Sequence, residues 1–566
     1  LALLIGVVVG LGSQLRREFF PEVDAGAFEI YVRSKTGTRI EVNEKRVAEV
    51  ETFVKDRIGK DLEIVISEIG VVADWSAAYT PNSGPMDTVL KVQLAHDRRY
   101  SAQEYVHFLR QGFAGSSQFD GLEFAFDAGG IIRGAMNEGK STPINIQITG
   151  KNLKKAYQVA DAIKKKVNEV DGVVDCRILQ RLDYPQYVVE VDQAKAASLG
   201  LSQIDVMQNL VSALNSSILF NKRNFWIDPV SRNQYYVGVQ YAEEQIASID
   251  TLLDVPITSP LQKKPIPLGN MATVRRAAVP AELTHTDLQS TIDLTMGVYG
   301  RDLGHIADDI TAVMQQFGVS SGPGTWTPFE PDAFSRGEKT PMDGSTIRLS
   351  GEYSRMQDTF RNLGIGLVLA SLLIYFLMVA LFQSWVTPLV ILSAVPFGLI
   401  GVVIILFGTG TALNVQSLLG VIFMVSIVVS NTVLLVDYAQ HLRRDEGLSP
   451  TKAIIKAASV RVRPVVMTAL AAFFALLPMA LGLARGSEAN TPLGRSVIGG
   501  LVAGLITTLF IVPTLYSLLM RDTKLVSVDE DDLIPHDEPA DELVNEETKD
   551  RHPEGIRKSV EGNSGG

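Results

Sequence analysis

Over roughly the first 350 residues, apolar positions either alternate with polar ones or recur every three to four residues; from Leu363 to Met520 they merge into long runs. Phe28, Ile30 and Val32 alternate as in a half-buried strand, and Val47, Val50, Val54 and Ile58 then recur at helical spacing behind an expected Asn43 cap. Leu62–Ile69 is a buried-strand run, and Leu90, Val92 and Leu94 alternate again. Ser101-Ala-Gln-Glu104 is a capping box opening a helix to about Phe113, and Glu123-Phe-Ala-Phe126 closes the series as a strand. The order βαββαβ is the split arrangement of ferredoxin-like folds.

A second unit begins the same way. Ile144, Ile146 and Ile148 alternate; Leu153, Tyr157, Ala160, Ile163 and Val167 line a helix face; Tyr187–Val191 is the expected returning strand. The other half arrives about 100 residues later, with Ile292, Leu294, Met296 and Val298, then Leu303, Ile306, Ile310, Val313 and Phe317, then Thr346–Leu349. The pattern therefore predicts one unit over 22–139, a second over 140–193 and 286–350, and a subdomain over 194–285 inserted into the second.

Five apolar runs follow within 361–521: Leu363–Phe382, Val386–Phe407, Ser417–Ala439, Pro464–Ala484 and Leu493–Met520. Each reaches about 20 residues, enough to cross a ~30 Å hydrocarbon core. Leu1–Gly10 is apolar but too short to span, and 1–15 is read as the end of a truncated transmembrane helix. The predicted class is an α+β membrane protein: ferredoxin-like units with an inserted subdomain, plus a helical bundle in the lipid bilayer.

Charge sets the orientation. Gln440–Arg463 holds six Lys/Arg, Gly408–Gln416 none and Arg485–Pro492 one, which puts Gln440–Arg463 in the cytoplasm and residues 13–360 outside. Residues 525–566 carry 13 acidic against 4 basic side chains, most of the net charge of −11, and read as a disordered acidic cytoplasmic tail. The remainder is nearly neutral, which argues against a nucleic-acid partner. A single cysteine, Cys176, excludes an internal disulfide framework. No phosphate-binding Gly-Lys-Ser/Thr loop occurs, and Gly494-Arg-Ser-Val-Ile lacks the second glycine of a hydrolase elbow. No enzyme activity and no cofactor are expected.

The local strings carry a resemblance. Phe19-Phe-Pro-Glu-Val-Asp-Ala-Gly26, Phe382-Gln-Ser-Trp-Val-Thr-Pro388, Val395-Pro-Phe-Gly-Leu-Ile-Gly401, Val429–Tyr438 and Arg461-Val-Arg-Pro-Val-Val-Met-Thr468, in this order, resemble the C-terminal half of resistance-nodulation-division (RND) efflux pumps, from the end of the seventh transmembrane helix onward. The resemblance implies an inner-membrane transporter of a two-membrane bacterium, driven by the proton gradient and exporting amphipathic compounds or metal ions. The two ferredoxin-like units would be porter subdomains and 194–285 a docking subdomain. The implied partners are the N-terminal half of the same pump, further copies in a homotrimer, a periplasmic adaptor and an outer-membrane channel.

Polar groups inside a bilayer are costly and mark ion pathways. The third run holds Ser426, Ser430, Asn431 and Thr432, with Asp437 toward its cytoplasmic end; in the fourth, Arg461 and Thr468 lie seven residues apart on one face. In the resembling pumps a lysine, an arginine and a threonine surround an aspartate pair. Arg461 and Thr468 fall on the last two positions, and Ser430 stands where the lysine would be. Ser430, Asn431, Asp437, Arg461 and Thr468 are thus the proton-relay candidates. Helix–helix hydrogen bonding for the serines, and interfacial anchoring for Asp437 and Arg461, remain open as alternatives.

For substrate contact, Trp75 and Tyr79 lie in the long connection Val71–Gly84, where resembling pumps have a switch loop. Phe124 and Phe126 fall on the strand that borders the family's cleft; core packing is the alternative for both. The methionines are scattered and Cys176 is alone, so the composition favours organic cargo over soft metal, with metal or lipid export and a non-transporting subunit of a split pump as the alternatives.

Overall fold

A computed structural model describes residues 6, 10–70, 84–128, 142–214, 225–237, 241–242, 248–258, 264–483 and 486–520. The first unit is β1 (Ala27–Arg33), α1 (Ile40–Ile58), β2 (Leu62–Ile69), β3 (Asp87–Leu94), α2 (Ala102–Ala114) and β4 (Glu123–Asp127). Its sheet runs β2-β3-β1-β4, the ferredoxin-like order, with every pairing antiparallel. Alternation along β1 places Phe28, Ile30 and Val32 under the two helices, where they meet Val47, Val50 and Val54 of α1 and Leu109 of α2. The Ser101/Glu104 capping box opens α2 as the sequence predicts.

Asn43 does not cap α1. The helix begins at Ile40, and Asn43 is buried in its first turn. There its amide donates to the Pro85 carbonyl at 3.0 Å and to Thr88 Oγ1 at 3.1 Å, and its Oδ1 accepts from Ser34 Oγ at 2.7 Å. It ties the helix to the sheet, because a buried amide must find partners.

The second unit is β5 (Ile144–Thr149), α3 (Leu153–Val167), β6 (Val173–Ile178) and, after the insertion, β11 (Gln289–Val298), α5 (Leu303–Phe317) and β14 (Thr346–Gly351). Between them come β7 (Tyr184–Val191), α4 (Gln203–Leu214), β8 (Phe225–Ile227), β9 (Gln234–Tyr236) and β10 (Ala272–Val279); β12 (Gly318–Gly322) and β13 (Thr325–Pro328) precede β14. The sheet runs β6-β11-β5-β14-β13-β12, with His285–Thr286 also paired to β11.

The returning strand is therefore β6, not Tyr187–Val191. Residues 184–191 instead pair with β10, Tyr184 opposite Val279 through Val191 opposite Ala272, as a two-stranded ribbon leading into the insertion. Asp175 and Arg177 break the apolar pattern of β6 and so concealed it. Both turn toward the first unit: Asp175 accepts from Arg110, and the Arg177 guanidinium lies 4.8 Å from the Tyr31 ring centroid. The inserted segment has its own apolar core around Val206, Leu210, Ile257 and Leu268.

β14 passes directly into α6 (Glu352–Phe382), followed by α7 (Val386–Leu392), α8 (Ala394–Gly408), α9 (Val415–Asp445), α10 (Pro450–Leu481), α11 (Thr491–Ile506) and α12 (Val512–Leu519). A π-helical turn at Thr507–Ile511 joins the last two and α7 runs on into α8, so among the described residues five helical spans are long and apolar enough to cross a membrane. The basic stretch 440–463 is helical apart from a short turn around Glu446–Ser449, because α9 and α10 both continue past their apolar runs.

The bundle core depends on glycine. A Cβ at Gly401 would strike the Gly499 carbonyl, one at Gly499 would strike Ile405, and those at Gly500 and Gly504 would strike Met424 and Val428. These small faces let the α8 and α9 backbones approach α11. Gly499→Val should therefore destabilise the folded bundle by about 3 kcal/mol or more. Gly408→Ala, where the added Cβ meets nothing within 4 Å, should stay within about 0.5 kcal/mol of the parent in detergent-micelle unfolding.

Candidate functional site

Two places concentrate polar chemistry: a strip on α9 and α10 inside the membrane span, and a cavity where the bundle meets the two sheets. On the strip, Thr468 Oγ1 donates to Asn431 Oδ1 at 3.4 Å and to the Val465 carbonyl at 3.0 Å. One turn beyond the apolar middle, the Arg461 guanidinium lies 5.0 Å from the Tyr438 ring centroid, within cation–π range. Asp437 Oδ2 is 3.9 Å from His441 Nε2, one turn along the same helix. Ser426 and Ser430 are exposed. The structure thus joins Asn431 to Thr468, seats Arg461 on Tyr438, and leaves Ser430 and Asp437 apart from that link.

Sequence reasoning missed two partners. Tyr438 adjoins Asp437, and its signal is an aromatic face eight residues, about two turns, beyond Ser430. Thr508 lies in the π-helical turn, and its hydroxyl is 3.2 Å from Thr432 Oγ1, both groups buried. Thr432 also donates to the Val428 carbonyl at 2.7 Å, so it binds helix to helix.

The cavity encloses about 680 Å³ between the 16–25 linker, α2, β4, β6, β11 and the head of α6. Phe19, Phe20, Phe126, Val174, Val298 and Tyr299 supply apolar surface; Arg16, Glu18, Glu22, Arg110, Arg301, Glu352 and Arg355 supply charge. Of the predicted contact residues, Phe126 lines it. Phe124 stacks on Phe113, with centroids 4.2 Å apart, as part of the first unit's core, and it does not line this cavity. Trp75 and Tyr79 lie outside the described residues.

The linker is pinned by main-chain bonds: Glu18 N donates to the Leu413 carbonyl at 3.1 Å, and Leu413 N to that of Arg16 at 2.7 Å. Asp302 caps α5 and accepts from the Arg17 and His305 amides, which hold its carboxyl below the usual range against the cost of burial. Glu18 is the opposite case. Burial pushes its carboxyl up to about 7; Arg16, whose Nη2 is 3.1 Å away, opposes this, and Glu22, Asp302 and Glu352 reinforce it.

An extramembrane pair of ferredoxin-like units with a cavity at its foot, set on five helices able to span a membrane that carry a polar strip, defines a multi-pass membrane protein of the transporter type. The chain belongs to the AcrB/AcrD/AcrF family, whose model matches residues 1–520. It is 24% identical over 530 residues to the cobalt-zinc-cadmium resistance protein CzcA of Cupriavidus metallidurans, covering 92% of this chain and 46% of that protein. It is 26% identical over 388 residues to the swarming motility protein SwrC of Bacillus subtilis, covering 66% of this chain and 34% of the relative. A crystal structure of a heavy metal efflux pump superposes with a TM-score of 0.71 at 22% identity, over 91% of this chain and 50% of that one. The chain spans about half the length of the relatives it matches or less.

Glu18 makes the fold's stability depend on pH. A carboxyl whose folded-state value is raised contributes stability that is fully present below its ordinary value of about 4.5 and is lost as pH rises through about 7. Glu18→Gln should remove this slope. Between pH 5.5 and 8 the parent should lose on the order of 1–3 kcal/mol relative to the variant, read from thermal unfolding midpoints.

Proposed function

We propose that this chain is the C-terminal part of a proton-driven efflux transporter that takes amphipathic organic molecules from the periplasm or the outer leaflet of the inner membrane. The observation that carries the reading is the cavity: an aromatic and aliphatic floor ringed by guanidinium and carboxylate groups, opening where the membrane bundle meets the extramembrane units. Such a surface holds an apolar body and a charged head together. Arg461, Asn431 and Thr468 are the relay groups of this chain, with Tyr438 holding Arg461, and Ser430 offers a hydroxyl or an ordered water where an ammonium would otherwise stand. The acidic partners of the relay belong to the N-terminal half, with which this chain acts.

In this reading residues 13–360 face the periplasm and the C-terminal tail the cytoplasm, as the Lys/Arg excess at the α9–α10 turn supports. The hairpin β8–β9 exposes Phe225, Trp226, Ile227 and Tyr235 together, a patch suited to a neighbouring copy in a trimer or to a channel partner. A periplasmic adaptor and an outer-membrane channel complete the export path.

Divalent metal cargo is the second reading, favoured by the similarity to the cobalt-zinc-cadmium resistance protein CzcA and to a heavy metal efflux pump. Against it, among the described residues no group of three or more His, Cys, Asp and Glu side chains could hold a metal ion. Produced with its N-terminal counterpart in a pump-deficient bacterium, the protein should raise resistance to cationic dyes and bile-salt-type detergents and leave that to zinc, cobalt and cadmium unchanged. Arg461→Ala should return resistance to the empty-vector value. Protection against the metals alone would replace the organic reading with the second one.

A further inference from the structure

The two sheets meet edge to edge at β4 and β6, yet no backbone ladder bond joins these strands among the described residues. Side chains do the joining. Asp175 has a left-handed φ of 54°, a conformation that aspartate tolerates better than most residues, and it belongs to a bulge in β6, where Asp175 and Cys176 stand opposite the single residue between Thr295 and Gly297 of β11. That geometry turns its carboxylate out of β6 and across the seam. Arg110 Nε donates to Oδ1 at 2.9 Å, Arg110 Nη2 to Oδ2 at 2.7 Å, and the Phe126 amide to Oδ2 at 3.2 Å. One carboxylate thus stands in for a missing strand pairing, through a bidentate charged bond.

The clasp is also cavity wall. Arg110, Phe126, Val174, Gly297 and Tyr299 all line the cavity. The Arg110 guanidinium lies 5.1 Å from the Phe126 ring centroid and 5.9 Å from that of Tyr299, which stacks on His107 at 4.3 Å. A second joint lies farther along the seam and is more deeply buried. There Arg33 donates to the Ile178 and Leu179 carbonyls, and Arg181 to the Ser34 carbonyl and to Asp87.

We propose that the Asp175–Arg110 pair is the latch of the cavity: when it releases, β4 and β6 part, and the two units swing about the buried Arg33–Asp87–Arg181 joint. The latch serves the efflux reading by admitting cargo between the sheets, but its geometry stands without that reading.

The chain supplies its own reporter. Cys176, its single cysteine, follows Asp175 on β6, and burial pushes its thiol up to about 12, so a closed seam makes it slow toward maleimides at neutral pH. The test is the initial rate of maleimide labelling of the detergent-purified full chain, with Cys176→Ser as blank and thermal unfolding midpoints recorded for every variant. Asp175→Asn, which suits the left-handed backbone, and Arg110→Gln should each raise the rate about tenfold or more, through a larger open population. Arg110→Lys, which keeps charge but loses the fork, should fall between. Lys164→Gln removes the 2.9 Å pair with Glu123 across the same seam and should not raise the rate. Parental rates in Asp175→Asn and Arg110→Gln would overturn the latch, as would an equal rise in Lys164→Gln. If either principal variant fails to fold, Arg110→Lys decides: a rise supports the latch and a parental rate overturns it. Transport is not read, so loss of the efflux reading would leave this result standing, and the reverse.

Discussion

The relation between the two extramembrane units rests on one buried carboxylate between two arginines. Asp87 Oδ1 is 2.7 Å from Arg181 Nη2 and 3.3 Å from Arg33 Nε, with all three side chains largely removed from solvent. Burial draws the Arg33 guanidinium below its ordinary value, the neighbouring Arg181 adds to this, and Asp87 pulls the other way. Two guanidiniums on one carboxylate would leave an uncompensated charge in low dielectric. The carbonyls of Ile178, Leu179 and Ser34 complete the coordination. Because those carbonyls belong to the end of β6, the residues just after it and the end of β1, the same bonds that solvate the charge fix the spacing of the sheets. The width of the cavity below follows from that spacing.

The membrane part solves a different problem. Helices gain no hydrophobic advantage by meeting each other in lipid, so contact has to come from close backbone approach and from hydrogen bonds. Glycines on α8 and α11 provide the first, and Thr432 with Thr508 the second. Asn431 and Thr468 repeat the device between α9 and α10, but at a less buried position, beside exposed Ser430. A hydrogen-bonded pair on an open polar strip suits a face that meets further polar groups.

Most of the fold was legible because its patterns are local. Alternation found β1, β3, β5 and β11, the 3.6-residue period found the helices over them, and unbroken apolarity found the five spans. The failures came where a side chain serves a distant element. Asp175 and Arg177 disguised β6 because their partners lie in the other unit, and Asn43 looked like a cap because its acceptors, at Pro85 and Thr88, are more than 40 residues away. The cavity was nearly invisible, since its walls come from the linker, four helices and three strands. Phe126 was found by resemblance, whereas Glu18 and Arg110 carried no sequence signal at all. Phe124, two residues from Phe126 and on the same face of β4, packs with it against Phe113 in the first unit's core but does not reach the cavity.

Family membership constrains the cargo less than it constrains the backbone. At 22% identity the fold superposes while side chains are free to differ, so a fold shared with a metal pump does not by itself carry that pump's ligands with it. Soft or borderline metal ions need several thiolate, thioether, imidazole or carboxylate donors converging on one point. The cavity here offers none of the first three among its lining residues, and of its carboxylates Glu18 is paired with Arg16. Arg16 opposite Glu18 and Arg110 opposite Asp175 neutralise each other until a ligand's own charge competes for one member of the pair. A ligand with an apolar body and a single charged group can do this in one step: its body covers Phe19, Phe20 and Phe126 while its head displaces one half of an ion pair. A bare divalent cation would have to compete with Arg16 for Glu18 and would gain nothing from the aromatic floor.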